Sequence, residues 1–189
     1  MNKIELAKTF CCGSRISLRP LHLKDVGKHY CRWLNDPETT RFLECRFQQH
    51  TLASLRRYVA STASNDSIHF MAMIQVADNR HIGNIKLGPV DERHFLADVG
   101  ILIGEADCRG KSYGVEALRL ISRYAFEGLG LHKLTAGAYA SNVASRKAFT
   151  KAGFTFEGIR KEQYLLDGRF EDACLFGLIN PAFSIPASL

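Results

Sequence analysis

Between residues 98 and 118 the chain reads DVGILIGEADCRGKSYGVEAL, and its chemically capable residues are Arg109, Lys111, Ser112 and the glycines Gly110 and Gly114. Two cations, a hydroxyl and two glycines so close together suit one task, holding a phosphate. Glycine lets backbone N–H groups approach an anion, and the basic side chains neutralise it. Before them, Val99-Gly100-Ile101-Leu102-Ile103 is short, β-branched and bounded by glycine, as a buried strand is. After them, Ala117, Leu118, Ile121, Tyr124 and Ala125 recur at three- and four-residue spacing, which is one face of a helix. The helix therefore opens near Tyr113-Gly114, where its unpaired N–H groups and positive dipole end add to Arg109 and Lys111. A P-loop reads Gly-x-x-x-x-Gly-Lys-Ser/Thr and the dinucleotide fingerprint Gly-x-Gly-x-x-Gly; neither full pattern is present.

The elements around this loop follow from hydrophobic period. Residues 1–13 show little periodicity and read as a lead-in to one domain over 14–180, with a tail at 181–189. Arg15 to Arg19 alternate as a first strand stopped by Pro20. Val26, Tyr30, Trp33 and Leu34 mark a helix ended by Asn35-Asp36-Pro37. Thr51 caps a second helix with Leu52, Leu55 and Val59 inward. Between them, 38–50 reads as an irregular stretch of the kind that lines substrate sites. The period then changes to two over 68–76, 81–87 and 95–103, an antiparallel meander broken at Asp78-Asn79 and at Gly88-Pro89 with Asp91-Glu92. The loop helix reaches about Phe126, and a strand follows over Lys133–Tyr139. Ser141 or Asn142 caps a helix with Ala144, Ala148 and Ala152 on one stripe and Gly153 at its end. Phe154–Ile159 and Asp172–Ile179 are closing strands.

Composition bounds the function. A chain of 189 residues, 46% hydrophobic, supports one well-cored domain. No apolar run reaches a membrane span and the N-terminus lacks an apolar signal region, so a cytoplasmic protein with no membrane association is expected. The six cysteines form no Cys-x-x-Cys pair, which predicts reduced thiols and no metal. Cys108 beside the loop reads as a passive thiol. The net charge of +6 draws anions. Arg41, Arg46, Arg56 and Arg57 are too scattered for a nucleic-acid footprint, and direct nucleic-acid binding is not expected. A homodimer is compatible with the chain, though nothing in it fixes oligomeric state.

The loop Arg109-Gly110-Lys111-Ser112-Tyr113-Gly114 resembles the pyrophosphate loop of the GNAT acetyltransferases, Arg/Gln-x-x-Gly-x-Gly/Ala, with Ser112 at the first glycine position. Residues 141–154, SNVASRKAFTKAGF, resemble a second GNAT signature, Asn-x-x-Ser/Ala-x-x-x-Tyr/Leu-x-Lys-x-Gly-Phe. The element order β-α-α-β-β-β-α-β-α-β-β is also that of the GNAT fold, an α+β architecture with a mixed, mostly antiparallel central sheet flanked by helices. Trp33-Leu34-Asn35-Asp36-Pro37, Ala97 to Ile101 and Glu157-Gly158-Ile159-Arg160 are similar to the RimJ/RimL-like branch.

The resemblance implies transfer of an acetyl group from acetyl-CoA to a primary amine by direct attack on the thioester. It implies that Ile101, Leu102 and Ile103 pair with the pantetheine arm, one N–H near Leu102 or Ile103 serving the oxyanion. The diphosphate lies on Arg109, Gly110, Lys111, Ser112, Tyr113, Gly114 and Val115, and Asn142 with Ser145 faces the pantetheine or its sulfur. Phe149 stands where relatives carry an acid tyrosine, so Ser145 is the first substitute, with Tyr139 or Tyr164 behind it. An alkylammonium must lose a proton, and Glu44 is the candidate base, with Asp98 and Glu162 as rivals. Of the seven histidines, His22, His69, His81 and His132 are weaker candidates. The acceptor is a protein N-terminal amine or an amino sugar, the latter perhaps nucleotide-linked through Arg41 and Arg46. A non-catalytic acyl-CoA-binding regulatory module is the alternative that Phe149 raises. The acceptor is expected in a groove between residues 38–50 and 158–170.

Overall fold

A computed structural model describes Glu5 and residues 10–185; the rest of the expected lead-in and the end of the expected tail lie outside the described residues. Seven strands form one sheet in the order β1-β2-β3-β4-β5-β7-β6. They are β1 (Ile16–Pro20), β2 (His69–Gln75), β3 (His81–Asp91), β4 (Leu96–Ile103), β5 (Lys133–Tyr139), β6 (Thr155–Leu166) and β7 (Arg169–Ile179). The helices are α1 (Lys28–Asn35), α2 (Pro37–Thr40), α3 (Leu52–Ala63), α4 (Tyr113–Arg123) and α5 (Val143–Ala152).

Strand alternation divides the core into two layers. On β2, Met71 and Met73 join the layer beneath α4 and α5, which includes Leu118, Ile121, Tyr124 and Phe149. Their neighbours Ala72 and Ile74 face the other way, onto Tyr30 and Trp33 of α1 and Leu55 and Val59 of α3. Every pairing is antiparallel except β4 with β5, which are parallel and joined through α4.

That parallel pair makes the site. Among the described residues, β4 and β5 pair from Leu96–Lys133 to Asp98–Thr135, after which the strands separate while both continue. The sheet bends at the same level. On β3, Gly88 and Pro89 stand against the single residue Asp98, a bulge between Leu87 and Val90. Pro89 has no N–H to give the ladder. Gly88 has φ +119°, and a β-carbon on it would lie 2.3 Å from the Ser67 carbonyl oxygen.

Several local expectations are corrected. β3 runs through Gly88-Pro89 to Asp91, because a bulge absorbs the proline that reads as a strand end. The stretch 38–50 contains α2 and a 3₁₀ turn over Glu44–Phe47. Asp36 caps α2 by accepting the Thr39 N–H at 3.0 Å, with Pro37 in its first turn. Within the expected lead-in, residues 10–13 fold back on β1: Leu18 N–H donates to Cys11 O at 2.9 Å and Cys11 is fully buried. The closing strands extend to meet as one hairpin, turning at Asp167 (φ 50°) and Gly168 (φ 76°). Residues 160–166 are thus strand, and Glu162 lies at an irregularity within β6.

Candidate active site

The gap between β4 and β5 opens into a cleft of about 660 Å³, walled by residues 99–103 of β4, 137–139 of β5, the loop into α4, the first turns of α5 and residues 42–44. Gly104 N–H is turned to β3, where it donates to Ile82 O at 2.9 Å. By alternation along the strand, the backbone groups of Ile103 and Ile101 face away from β3, into the gap. The Ile103 carbonyl accepts Arg109 Nε at 3.4 Å. Leu102 also lines the cleft, but the same alternation turns its backbone groups to Asn84 of β3, so the expectation that its N–H serves the pantetheine arm or the oxyanion is corrected.

The expected phosphate loop lies at one end. Gly110 (φ 73°) and Ser112 (φ 63°) are both left-handed, and the Ser112 side chain makes no capping bond, so the first N–H groups of α4 at Tyr113, Gly114 and Val115 are left for an anion. Gly110, Ser112, Tyr113, Gly114 and Val115 line the cleft. Lys111 lies outside the lining with an exposed side chain. Arg109 lines the cleft but is engaged elsewhere, donating to Glu38 Oε1 at 3.0 Å and Thr39 Oγ1 at 2.6 Å on α2. On the facing wall, Asn142 caps α5 by accepting Ser145 N–H at 3.1 Å. Asn142 and Ser145 both border the cleft.

At the other end stands a pair that sequence reading separated. Tyr139 O–H donates to Glu44 Oε1 at 2.6 Å, although the two are 95 residues apart. Tyr139 stacks on Tyr164 with ring centroids 4.2 Å apart, and Phe42 lies 5.6 Å from it. Burial, and the hydrogen bond to the Glu44 carboxylate, push the Tyr139 phenol up to about 12. Glu44 keeps 68% of its side chain exposed, so an incoming amine can reach it. Arg46 closes this end: its guanidinium donates to Leu43 O at 2.8 Å and Leu165 O at 2.6 Å, with Nη1 3.6 Å from Glu44 Oε1. Arg41 pairs with Asp167 at 2.8 Å. The expected acceptor groove is therefore bridged, and the β6–β7 hairpin rests on the 38–50 segment.

Other candidates lie outside the cleft or border it without a free reactive group. Asp98 accepts Thr135 Oγ1 where β4 and β5 still pair. Glu162, with its N–H on Asp172 at 3.0 Å, is outside the lining. Phe149 is 2% exposed between Phe154 and Phe176, although it borders the cleft floor. Burial pushes the Cys108 thiol up despite Arg80 at 3.2 Å, which suits a passive role. His69 bonds Tyr124 and His81 bonds Asn84 within the core, while His132 packs on Phe183. Among the described residues no cluster of three or more His, Cys, Asp or Glu could hold a metal, and no helix is long and apolar enough to cross a membrane.

A family model described as "Acetyltransferase (GNAT) domain" matches residues 15–155. The chain is 30% identical over 176 residues to a Bacillus subtilis protein named "Probable N-acetyltransferase YjcK", covering 89% of this chain and 96% of that one. Its fold matches that of spermidine N-acetyltransferase from Vibrio cholerae in complex with CoA and spermine (TM-score 0.79, 19% identity, 88% and 96% of the two chains). It also matches Mycobacterium smegmatis RimJ in complex with CoA-disulfide (TM-score 0.76, 18% identity, 87% and 81%). A splayed parallel strand pair, an uncapped helix N-terminus and a carboxylate in one cleft belong with these matches, and the chain is a member of the GNAT family, an N-acetyltransferase acting on amines.

Proposed function

We propose that this chain transfers the acetyl group of acetyl-CoA to the N-terminal α-amine of a protein or peptide. The carrying observation is the placement of Glu44 and Tyr139, 2.6 Å apart, across one cleft from the uncapped start of α4. In this reading the diphosphate sits on the N–H groups of Tyr113, Gly114 and Val115. The pantetheine arm runs along Ile101 to Ile103, and an N–H of Ile101 or Ile103 meets the oxyanion, a contribution of about 3 kcal/mol. Glu44 takes the proton as the amine attacks. Tyr139 orients Glu44 and does not serve as the acid: its O–H is committed to Glu44 Oε1 at 2.6 Å, and burial with that hydrogen bond raises the phenol, which makes it a reluctant proton donor. The thiolate leaves unprotonated, and Phe149 at the usual tyrosine position then costs little. Ser145 stays beside the thioester as a positioning hydroxyl. The resemblance of Trp33 to Pro37, Ala97 to Ile101 and Glu157 to Arg160 to the RimJ/RimL-like branch favours this acceptor.

Charge argues against the other acceptors. Glu44 is the one carboxylate among the described residues of the lining, which also carries Lys86, Arg109, Lys147 and Lys151. A polyamine with several cations finds little complement there, in contrast to the Vibrio relative named for spermidine. A nucleotide-linked sugar would call on Arg41 and Arg46, and both are engaged within the protein. Thiol release from acetyl-CoA should be measured with free and N-terminally blocked peptides, amino sugars and spermidine. Turnover is expected with free peptides and lost on blocking; turnover confined to sugars or spermidine would overturn the assignment.

A further inference from the structure

We propose that Arg15 is the positioning residue for the phosphate loop, and that it stabilises the left-handed backbone at Ser112 where the family pattern has glycine. The proposal rests on reading this loop as the seat of the cofactor diphosphate. Ser112 has φ 63° and ψ 13°, a conformation that any β-carbon disfavours and that glycine adopts freely. Its own side chain gives no help, since it makes no capping bond. Something outside the loop must hold the shape, and the Arg15 guanidinium is in contact with it on three sides.

Arg15 Nη1 donates to Lys111 O at 2.9 Å and Nη2 to Ser112 O at 3.4 Å, the two carbonyls flanking the strained position. Its Nε donates to Glu116 Oε2 at 2.9 Å, and the guanidinium lies 5.0 Å from the Tyr113 ring centroid. The anchor itself is firm. Arg15 N–H donates to Glu116 Oε1 at 2.9 Å, and Arg15 O accepts Val76 N–H at 2.8 Å, tying it to the end of β2. One planar fork thus grips the loop's outer carbonyls while the opposite face of the loop presents N–H groups to the cleft. A lysine could keep the charge near Glu116 but could not span both carbonyls. A plain surface ion pair between Arg15 and Glu116 would leave cofactor affinity unaffected, which separates the two readings.

The test is a double-mutant cycle on acetyl-CoA affinity, measured by calorimetry on the full chain for Arg15→Ala, Ser112→Gly and the double variant. Gly114→Glu, which puts a carboxylate into the anion seat, is measured alongside. Arg15→Ala should weaken binding about tenfold, the effect of losing hydrogen bonds to a charged group. In steady state the loss should fall on KM for acetyl-CoA rather than on kcat. In the Ser112→Gly background the same Arg15→Ala change should cost only about threefold, because glycine holds the left-handed turn without help. Arg15→Lys should resemble Arg15→Ala, and it carries the same test if the alanine variant does not fold. Purely additive effects, or wild-type affinity in Arg15→Ala and Arg15→Lys while Gly114→Glu abolishes binding, would overturn the role of Arg15. Wild-type affinity in Gly114→Glu would instead overturn the loop reading and this proposal with it.

Discussion

The two ends of the cleft are built by different means. At the end proposed for the cofactor, Gly110 to Val115 are contiguous, and what they offer is backbone N–H groups that a single strand-to-helix turn brings together. At the end proposed for the acceptor, Glu44, Tyr139, Tyr164 and Arg46 come from a 3₁₀ turn, the end of β5 and the β6–β7 hairpin, and what they offer is side-chain groups. A contiguous backbone device can be seen in a short pattern, whereas a side-chain constellation exists only once three segments have folded together. The first should also resist side-chain changes that destroy the second. Substitutions should therefore split cleanly between cofactor affinity and turnover.

The largest expected effect is at the cofactor end. A β-carbon on Gly114 would meet Ile101 Cδ1 at an ordinary 3.7 Å, so Gly114→Glu leaves the fold intact and acts by charge. Placing a carboxylate against a diphosphate costs several kcal/mol, which is on the order of 10³-fold in affinity. Calorimetry with acetyl-CoA reads this directly, and affinity within a few-fold of wild type would show that the diphosphate lies elsewhere.

Next comes the acceptor end. Glu44→Gln keeps the shape and an acceptor for Tyr139 but removes the base, so kcat should fall about 10²-fold. Acetyl-CoA affinity should be unchanged, since Glu44 is not among the loop residues proposed to hold the diphosphate. Wild-type turnover would dismiss Glu44 and with it the contrast between the ends.

How much of this was legible follows the same division. Strand period exposed β2 and the parallel pair β4 and β5, because both faces or one face of each is buried. It failed for the outer half of β6, where Arg160, Lys161, Glu162 and Gln163 lie on an exposed edge strand, so no apolar alternation is demanded. The signal that could have found the hairpin was Asp167-Gly168, a turn pair suited to two residues at positive φ. In the site, the loop and the Asn142 cap were readable from adjacent residues. Glu44 could be picked from its loop, but its partner Tyr139 could not, because only the splay of β5 from β4 carries that hydroxyl to residue 44. Arg41 and Arg46 read as free cations for a phosphate, and tertiary contacts with Asp167 and Leu165 took them up.

Tyr139→Phe should have a smaller effect, about tenfold in kcat, the value of one hydrogen bond to a charged group. Its pH behaviour is the sharper reading. A phenol raised to about 12 stays protonated below roughly pH 10, so it contributes no titration to the acidic limb of kcat/KM. The variant should lower that profile without changing the shape of the limb. A limb that disappears in Tyr139→Phe would mean that the phenol itself carries the titrating proton.

The smallest effect is expected where the family pattern made the largest demand. Phe149→Tyr restores the relatives' side chain, yet the ring is 2% exposed and held 5.4 Å from Phe154 and 5.5 Å from Phe176. If the added hydroxyl stays in that aromatic layer without a partner, it costs about 1–3 kcal/mol of stability. If it reaches the cleft floor, it meets a thiolate proposed to leave without an acid, so kcat should move by less than about threefold in either case. Thermal unfolding and turnover measured together separate the two positions. A rise in kcat of tenfold or more with unchanged stability would mean that departure of the sulfur limits the rate, and the slow step would then shift from the Glu44 end of the cleft to the α5 wall.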